Sequence, residues 1–266
     1  MAALLNTSVI WMVMSAMLLA ILLRWHFAPR DRERSEVLFA SAVLPFVCSA
    51  LCMCVIDWLA GALPVKYDYY LFRADGVLGF QPSFVMGRLF YHHPFVMVSA
   101  GLAYNLLPAA LFSVFAVHLY RSELSETLRV ARTLILNLVA AVPIYALLPA
   151  CGPRNTFPRS FPDVTPHHIH PHPAVLAGPP NAFPSVHTSS ALLIFWFLRK
   201  WPAGRVLGLA FLVLTIVATL GSGEHWFIDL LAAVPYTLLV YRYSANPWRF
   251  KRSLPAISAA TFEEAI

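Results

Sequence analysis

The sequence predicts an all-α fold, a polytopic membrane helix bundle of about seven spans. Of the 266 residues, 59% are hydrophobic and only 12% are charged, whereas a soluble domain carries about 25% charged residues. Apolar segments long enough to cross a bilayer recur along the whole chain. Basic residues gather in alternate connections between these segments, which is typical of loops that lie alternately on the two sides of a membrane.

The apolar runs define the predicted spans. The fifth run is the shortest, so its ends are the hardest to place. The first run has no basic residue before it and no small-residue cleavage site after it, so we interpret it as a retained span and not as a signal peptide. The predicted spans are residues 7–23, 37–60, 95–120, 130–150, 187–200, 205–222 and 225–243.

The placement of Lys and Arg predicts the orientation of the chain. Fourteen of the nineteen basic residues lie in alternate loops and in the C-terminal segment, and basic loops face the cytoplasm. We therefore expect the N-terminus outside and the C-terminus in the cytoplasm. The net charge of +6 then reflects membrane topology and does not indicate a nucleic-acid partner.

Three segments organise the chain. Residues 1–36 would hold the first span and a cytoplasmic loop, residues 37–243 the helical core, and residues 244–266 a poorly ordered cytoplasmic tail. Two long connections face outside. The aromatic-rich connection 61–94 is expected to lie at the headgroup level. The proline-rich connection 151–184 is expected to be extended or turn-like.

His225 and Asp229 are the strongest candidates for chemistry. They follow a glycine-flanked turn that enters an apolar run, and a spacing of four residues predicts that both side chains share one helix face within hydrogen-bonding reach. An ionisable pair in an apolar span indicates function because its burial is costly. His225 would be a nucleophile, and Asp229 would fix its tautomer. A structural pair that ties two helices together is the alternative.

His187 lies at the start of the fifth span, in the segment Phe183-Pro184-Ser185-Val186-His187. Ser185 is the predicted N-cap of that helix, and the remaining amides of the helix N-terminus would be able to meet an anion. His187 is then the candidate general acid for a departing oxygen. The alternative is a histidine at the headgroup level with no part in catalysis.

Arg154 and a glycine turn are further candidates for phosphate binding. Gly221, Ser222 and Gly223 would present their backbone amides to an anion, although such turns are also common between spans without any function. Arg154 follows the fourth span and would grip phosphate with its planar guanidinium, or it would only contact lipid headgroups. Because Arg154, His187 and His225 all fall at outer span ends, we expect them at one membrane surface.

The histidine-rich segment 166–172 is the feature that invites a metal. Imidazoles are good ligands for zinc or copper, but no carboxylate or thiol is interleaved and proline restricts how the rings converge. We interpret the segment as a solvent-exposed polar loop. The sequence therefore gives us no reason to expect a metal or any other cofactor.

Together these residues resemble the type 2 phosphatidic acid phosphatase superfamily of integral-membrane, metal-independent lipid phosphatases and phosphotransferases. The segments 183–187 and 223–229 carry the resemblance. It implies a six-helix core, which residues 37–243 would form with the first span as an addition. It also implies that His225 is the nucleophile, that Asp229 orients it and that His187 is the acid.

The sequence departs from the family pattern mainly at basic positions. Val186 replaces a glycine, Ala218 and Thr219 stand where the family has Ser-Arg, and the segment that ends in Arg154 lacks a lysine. With residues 75–80, these departures resemble the branch that contains inositol phosphorylceramide synthases. The loss of two basic ligands suggests a phosphodiester substrate, which carries less charge than a monoester.

The sequence thus predicts a lipid phosphatase or phosphotransferase that acts at the outer leaflet through a phosphohistidine. Its partner would be a membrane lipid, and the acceptor would be water or an alcohol headgroup. A transporter with a His/Asp proton relay is the alternative, which is disfavoured because polar residues gather at the outer edge of the spans. A metal-uptake or sensing protein would depend on the histidine-rich segment.

Overall fold

The computed structural model describes residues 32–122, 124–167 and 169–245 of the chain. The first predicted span, residues 7–23, lies outside the described residues. So does all but the start of the predicted tail, since residues 244 and 245 close the last helix. The described residues thus cover almost all of the predicted core and the end of the preceding loop.

Helices make up most of the described chain, and two short strands pair between the outer connections. The strands are β1 (Val65–Lys66) and β2 (Ala174–Val175), which pair antiparallel with Val65 opposite Val175. The helices are α1 (Arg32–Ala62), α2 (Asp68–Asp75), α3 (Pro82–His92), α4 (Pro94–Asn105), α5 (Leu107–Arg121), α6 (Leu124–Val139), α7 (Ala141–Leu147), α8 (Pro153–Thr156), α9 (Val186–Leu198), α10 (Pro202–Gly221) and α11 (Phe227–Ala245).

Three helical stretches of the described chain are long and apolar enough to cross a membrane: 43–62, 125–147 and 202–221. Helices α4 and α5 make a fourth if they are counted as one bent span. The predicted spans 187–200 and 225–243 correspond to α9, a shorter apolar helix of 13 residues, and to α11. The protein is thus an integral membrane protein with a helical core, and the count of seven spans stays a prediction.

The predicted third span is two helices and not one. Helix α4 ends at Asn105, α5 begins at Leu107, and their axes are bent by 54°. Pro108 occupies the first turn of α5. Its ring would clash with the carbonyl of residue 104 and it lacks an N–H, so one continuous α-helix is disfavoured here. The bend leaves Tyr104 in the last turn of α4, beside the start of α9.

The apolar core lies between α5, α6 and α9. Its largest cluster of buried residues includes Phe112, Phe115, Leu134, Leu193 and Phe197. A chain of polar side chains crosses the same bundle: Asn137 of α6 donates to Ser190 of α9 at 3.0 Å and accepts from Ser189. Buried polar groups of this kind stabilise a fold when they are paired. These hydrogen bonds therefore fix α6 against α9.

The aromatic-rich connection 61–94 forms α2 and α3, and its position at the headgroup level stays a prediction. Several of its rings point inward: Phe72 and Phe84 pack with Phe157 and Trp226 in a buried cluster. Phe84 is completely buried. Aromatic rings bury a large apolar area and pack edge to face, so this segment is a structural layer beneath which the candidate residues are held.

Candidate active site

The structure brings the two candidate histidines together from separate parts of the chain. His187 lies in the first turn of α9, and His225 lies in the turn between α10 and α11. The centroids of their imidazole rings are 5.9 Å apart, and the ring planes make an angle of 65°. At that separation both rings can reach one bound group, such as a phosphoryl group.

His225 is held by a backbone carbonyl and not by Asp229 as predicted. It precedes the first residue of α11, so the pair does not share a helix face. Its Nδ1 lies 2.8 Å from the carbonyl oxygen of Ala182, whereas Nδ1 and the Asp229 Oδ2 are 3.6 Å apart. A carbonyl can only accept, so Nδ1 carries the proton. The lone pair therefore resides on Nε2, which is the ring nitrogen available for nucleophilic attack.

Asp229 is a buried carboxylate beside that imidazole. Its Oδ2 accepts a hydrogen bond from the Trp226 amide at 2.7 Å, which satisfies one of the free N–H groups at the start of α11. Its other oxygen, Oδ1, is buried without a hydrogen-bond partner among the described residues. A carboxylate with spare acceptor capacity next to His225 is suited to balancing positive charge on the ring.

Two aspartates of α2, Asp75 and Asp68, fix the same turn. Asp75 accepts from the amides of Phe227 and Ile228 at 2.8 and 2.9 Å. Burial raises the pKa of Asp75 to about 6, although the two amide donors act against that rise. This side chain lies 152 residues away in sequence from the helix that it caps, so the connection 61–94 positions the start of α11.

Asp68 joins three segments: α2, the residues that precede α8 and the turn before α11. Its carboxylate accepts from the amides of Cys151 and Gly152 and, at 2.8 Å, from the indole of Trp226. Burial raises the pKa of Asp68, and these hydrogen bonds act in the opposite direction. Trp226 is completely buried and follows His225 directly, so Asp68 holds the backbone next to the candidate nucleophile.

His187 is positioned by a capped helix and by an aromatic ring. Ser185 is the N-cap of α9, and its Oγ accepts from the amide of Thr188 at 3.3 Å, as predicted. The ring of Tyr104 stacks on the His187 ring with centroids 4.2 Å apart. The Tyr104 hydroxyl lies 3.3 Å from His187 Nδ1 and donates to the carboxylate of Glu224.

The predicted phosphate-binding turn is wrong in its detail. The amides of Ser222 and Gly223 donate to the carbonyls of Ala218 and Leu220 at 2.8 and 3.2 Å, so they close the end of α10 and do not face an anion. Gly221 serves packing instead, because a Cβ there would lie 2.6 Å from Phe90. The turn therefore shapes the backbone before His225.

Arg154 lies next to this turn. Its amide donates to the Gly223 carbonyl at 2.8 Å, and its side chain is exposed. Gly152 has a φ of +81°, and a Cβ there would lie 2.2 Å from the Glu224 carbonyl oxygen. Only glycine adopts this conformation without strain at such close range. The segment that carries Arg154 is thus fixed to the turn that carries Glu224 and His225.

An apolar cavity of about 330 Å³ opens beside His187. Helices α1, α5, α6 and α9 contribute to its wall, and His225 is not among the residues that line it. Its lining includes Met53, Ile56, Leu111, Phe115, Leu134, Leu138, Tyr104 and His187. The volume lies within the range of small-ligand pockets, and the wall suits hydrocarbon.

Sequence reasoning missed Tyr104, Glu224, Asp68 and Asp75 as parts of this site. The adjacency of Glu224 to His225 is a sequence signal that could have identified Glu224. Nothing in the sequence connects Glu224 to Tyr104. Within the described residues, no group of three or more His, Cys, Asp or Glu side chains is arranged to hold a metal ion. In the histidine-rich segment, His172 packs on the ring of Tyr69 at 4.7 Å.

The fold and the site define a membrane-embedded helical protein with two facing histidines and a buried carboxylate at one end of its bundle. A family model described as PAP2 superfamily matches residues 69–243. The chain belongs to the PAP2 superfamily, which makes it a phosphatase or phosphotransferase type of enzyme. No curated protein and no solved structure matches it.

Proposed function

We propose that the protein is a lipid phosphatase or headgroup phosphotransferase that acts at the outer leaflet through a phosphohistidine on His225. The observation that carries this proposal is the pair of imidazole rings 5.9 Å apart. One of them has its Nδ1 proton bonded to a carbonyl, which leaves Nε2 to attack. An attacking ring and a proton-donating ring that reach the same bound group are what phosphoryl transfer needs.

In the first half-reaction, His225 Nε2 attacks phosphorus and the bond from phosphorus to the lipid oxygen breaks. The electron pair of that bond goes to the departing oxygen, which takes its proton from His187. The phosphorylated ring keeps its Nδ1 proton and is a cation. Asp229, whose Oδ2 is 3.6 Å from Nδ1, stabilises that cation, as an orienting carboxylate does in related triads.

The second half-reaction returns the enzyme to its starting state. The oxygen of water, or of an alcohol headgroup, attacks phosphorus and gives its proton to the now neutral His187. The bond from phosphorus to Nε2 breaks, and its electron pair returns to the ring. Water as acceptor makes the enzyme a phosphatase, whereas an alcohol makes it a phosphotransferase.

The position of the apolar cavity supports cleavage of the bond between phosphorus and the lipid alcohol oxygen. His187 lines it and His225 does not, and the general acid must lie on the side of the leaving group. A lipid whose hydrocarbon occupies this cavity would place its alcohol oxygen near His187. The lipid alcohol is therefore the leaving group, and the phosphoryl group remains with His225.

Charge placement supports an outer-leaflet site. The basic residues predict that the connections 61–94 and 151–184 face outside. Both connections cover the same end of the bundle, because β1 pairs with β2 and Asp68 bonds to Cys151 and Gly152. The two histidines lie at that end.

The test is removal of the nucleophile. His225→Ala should reduce turnover of lipid phosphates and phospholipids to background, and brief incubation of the wild type with ³²P-labelled substrate should leave acid-labile label on the protein. His93→Ala is the matched control, because His93 lies outside the site and should leave both unchanged. Robust turnover in His225→Ala would end the proposal.

A further inference from the structure

Carboxylates crowd the space around the two histidines. Glu224 directly precedes His225, Asp229 lies 3.6 Å from its ring, and Asp68 and Asp75 bond the two residues that follow it. Arg154 is the basic residue that adjoins the same turn, and its side chain is exposed. A site with four carboxylates and one exposed arginine is poorly suited to a substrate that brings two negative charges.

Glu224 has a different position from the three aspartates. The aspartates are buried, and their carboxylates accept backbone amides or an indole N–H. Glu224 is only partly buried and accepts from the hydroxyl of Tyr104. Through the Tyr104 hydroxyl, its carboxylate lies one hydrogen bond from His187 Nδ1, and Glu224 directly precedes His225. A group bound between the two imidazole rings is therefore within reach of the Glu224 charge.

The charge of the substrate depends on its class. A phosphate monoester has a second pKa of about 6 and is mostly a dianion at neutral pH, whereas a phosphodiester is a monoanion. Repulsion between like charges costs more in a partly buried site than in water. A fixed carboxylate thus discriminates between the two classes because it repels the dianionic monoester more strongly than the monoanionic diester.

We propose that Glu224 is a specificity-determining residue that makes this site select phosphodiester lipids over dianionic lipid phosphates. The inference rests on the proposed phosphoryl-transfer function and adds the class of substrate to it. For a diester, the same attack by His225 releases the lipid alcohol from phosphorus with a proton from His187. The phosphorylated headgroup then stays on His225 until water or an alcohol takes it.

The contact with Tyr104 supplies a matched pair of variants. The Tyr104 hydroxyl donates its proton to Glu224, so its oxygen can accept from His187 Nδ1 at 3.3 Å. Glu224→Gln removes the negative charge and keeps an oxygen for Tyr104. Tyr104→Phe keeps the charge and the stacked ring and removes the hydrogen bond. A charge effect and a positioning effect on His187 are thereby separated.

The experiment measures diacylglycerol release by purified full-length protein from dioctanoyl phosphatidic acid, a monoester, and dioctanoyl phosphatidylglycerol, a diester. At pH 7.5 the wild type should have the higher kcat/KM for the diester. Glu224→Gln should raise the ratio of monoester to diester kcat/KM about tenfold, since removal of one nearby charge is worth at least that much in a partly buried site. Tyr104→Phe should lower both values and leave their ratio unchanged.

A pH series gives a second test. The monoester should gain on the diester by about tenfold as the pH falls from 7.5 to 5, because its phosphate becomes a monoanion near pH 6. Taking the ratio of the two substrates cancels the protonation steps that both reactions share. Besides Glu224, the titratable groups that face or adjoin the site are Tyr104, His187, His225, Asp229, Asp68, Asp75 and Arg154. Asp75, with a pKa of about 6, titrates within this interval, so the series is repeated with Asp75→Asn, in which the gain should persist.

Several outcomes would overturn the inference. A wild type that prefers the monoester at pH 7.5, or a Glu224→Gln ratio equal to that of the wild type, would show that this charge selects nothing. If Glu224→Gln and Tyr104→Phe changed the monoester-to-diester ratio of kcat/KM equally, Glu224 would act by positioning His187 and not through its charge. Turnover of both lipids that survives His225→Ala would instead remove the proposed function, and the inference with it.

Discussion

At the scale of single residues, the site depends on which hydrogen bonds each histidine makes. The carbonyl of Ala182 fixes the proton of His225 on Nδ1, so Asp229 is not needed to set the tautomer. Asp229 is completely buried with one oxygen that lacks a partner among the described residues. Its proposed task is therefore electrostatic, to balance the cation that forms when Nε2 takes the phosphoryl group.

Asp229→Asn tests that task. The amide keeps an oxygen for the Trp226 N–H, so the start of α11 should be preserved while the negative charge is lost. We expect kcat to fall by about 10² or more, in line with the loss seen when a triad carboxylate is neutralised. Steady-state kinetics should be paired with the thermal midpoint in detergent. Unchanged kcat at an unchanged midpoint would contradict the electrostatic task.

Sequence reasoning at the residue scale succeeded where the signal is local. The N-cap Ser185 was predicted because a serine before an apolar run is a local pattern, and the structure has this cap. The contacts of Tyr104 with Glu224 and of Asp68 with Trp226 join residues 120 and 158 positions apart. No periodicity or spacing indicates such pairs, because they depend on how the helices and the outer connections pack.

At the scale of elements, α2 acts as a cap for α11. Asp75 accepts the amides of Phe227 and Ile228, which as the first residues of a helix have no intrahelical carbonyl to bond. A local capping signal before α11 is weak in the sequence, because the cap comes from another segment. The inward packing of Phe72 and Phe84 in the same segment was not predicted, because it depends on contacts with distant residues.

Asp75 should give the stability of the protein a specific pH dependence. Its folded-state pKa of about 6 lies above the ordinary value of 3.8, so the folded state keeps this proton where the unfolded state has lost it. The contribution of the group to the free energy of unfolding is greatest below about pH 4 and falls as the pH rises to about 6. Thermal midpoints of wild type and Asp75→Asn between pH 4 and 7.5 should differ accordingly.

The comparison isolates this group because all other titrating groups are common to both proteins. The difference in midpoint, wild type minus Asp75→Asn, should decrease between pH 4 and 6 and be constant above pH 7. A difference that stays constant between pH 4 and 6 would mean that the two amide donors offset burial, so that the pKa of Asp75 is not raised.

The cavity between α1, α5, α6 and α9 allows a prediction about chain length. Leu138→Trp would fill part of this space beside the proposed hydrocarbon site. We expect kcat/KM to fall about tenfold for a substrate with long acyl chains, which corresponds to about 1.4 kcal/mol, and to change little for a short-chain one. Leu209→Trp, at an exposed position of α10, is the matched control. Equal losses for both chain lengths would rule out hydrocarbon binding there.

At the scale of the whole molecule, the outer connections and the helix ends form one unit. The strand pair β1–β2 and the carboxylates of α2 join connection 61–94 to connection 151–184 and to the start of α11. The apolar helices supply the bundle, and these two connections fix the histidines at one end of it. The helical membrane core was predictable from hydropathy, whereas the joining of the two connections was not, because long-range hydrogen bonds build it.

The orientation of that unit in the membrane can be tested with single cysteines. In a protein whose native cysteines, Cys48, Cys52, Cys54 and Cys151, are replaced by serine, Val164→Cys places a thiol at an exposed position of the outer connection. Lys200→Cys places one in a predicted cytoplasmic loop. In intact cells, a membrane-impermeant maleimide should label the first thiol and reach the second only after permeabilisation. The reverse pattern would put the histidines on the cytoplasmic side and would contradict outer-leaflet chemistry.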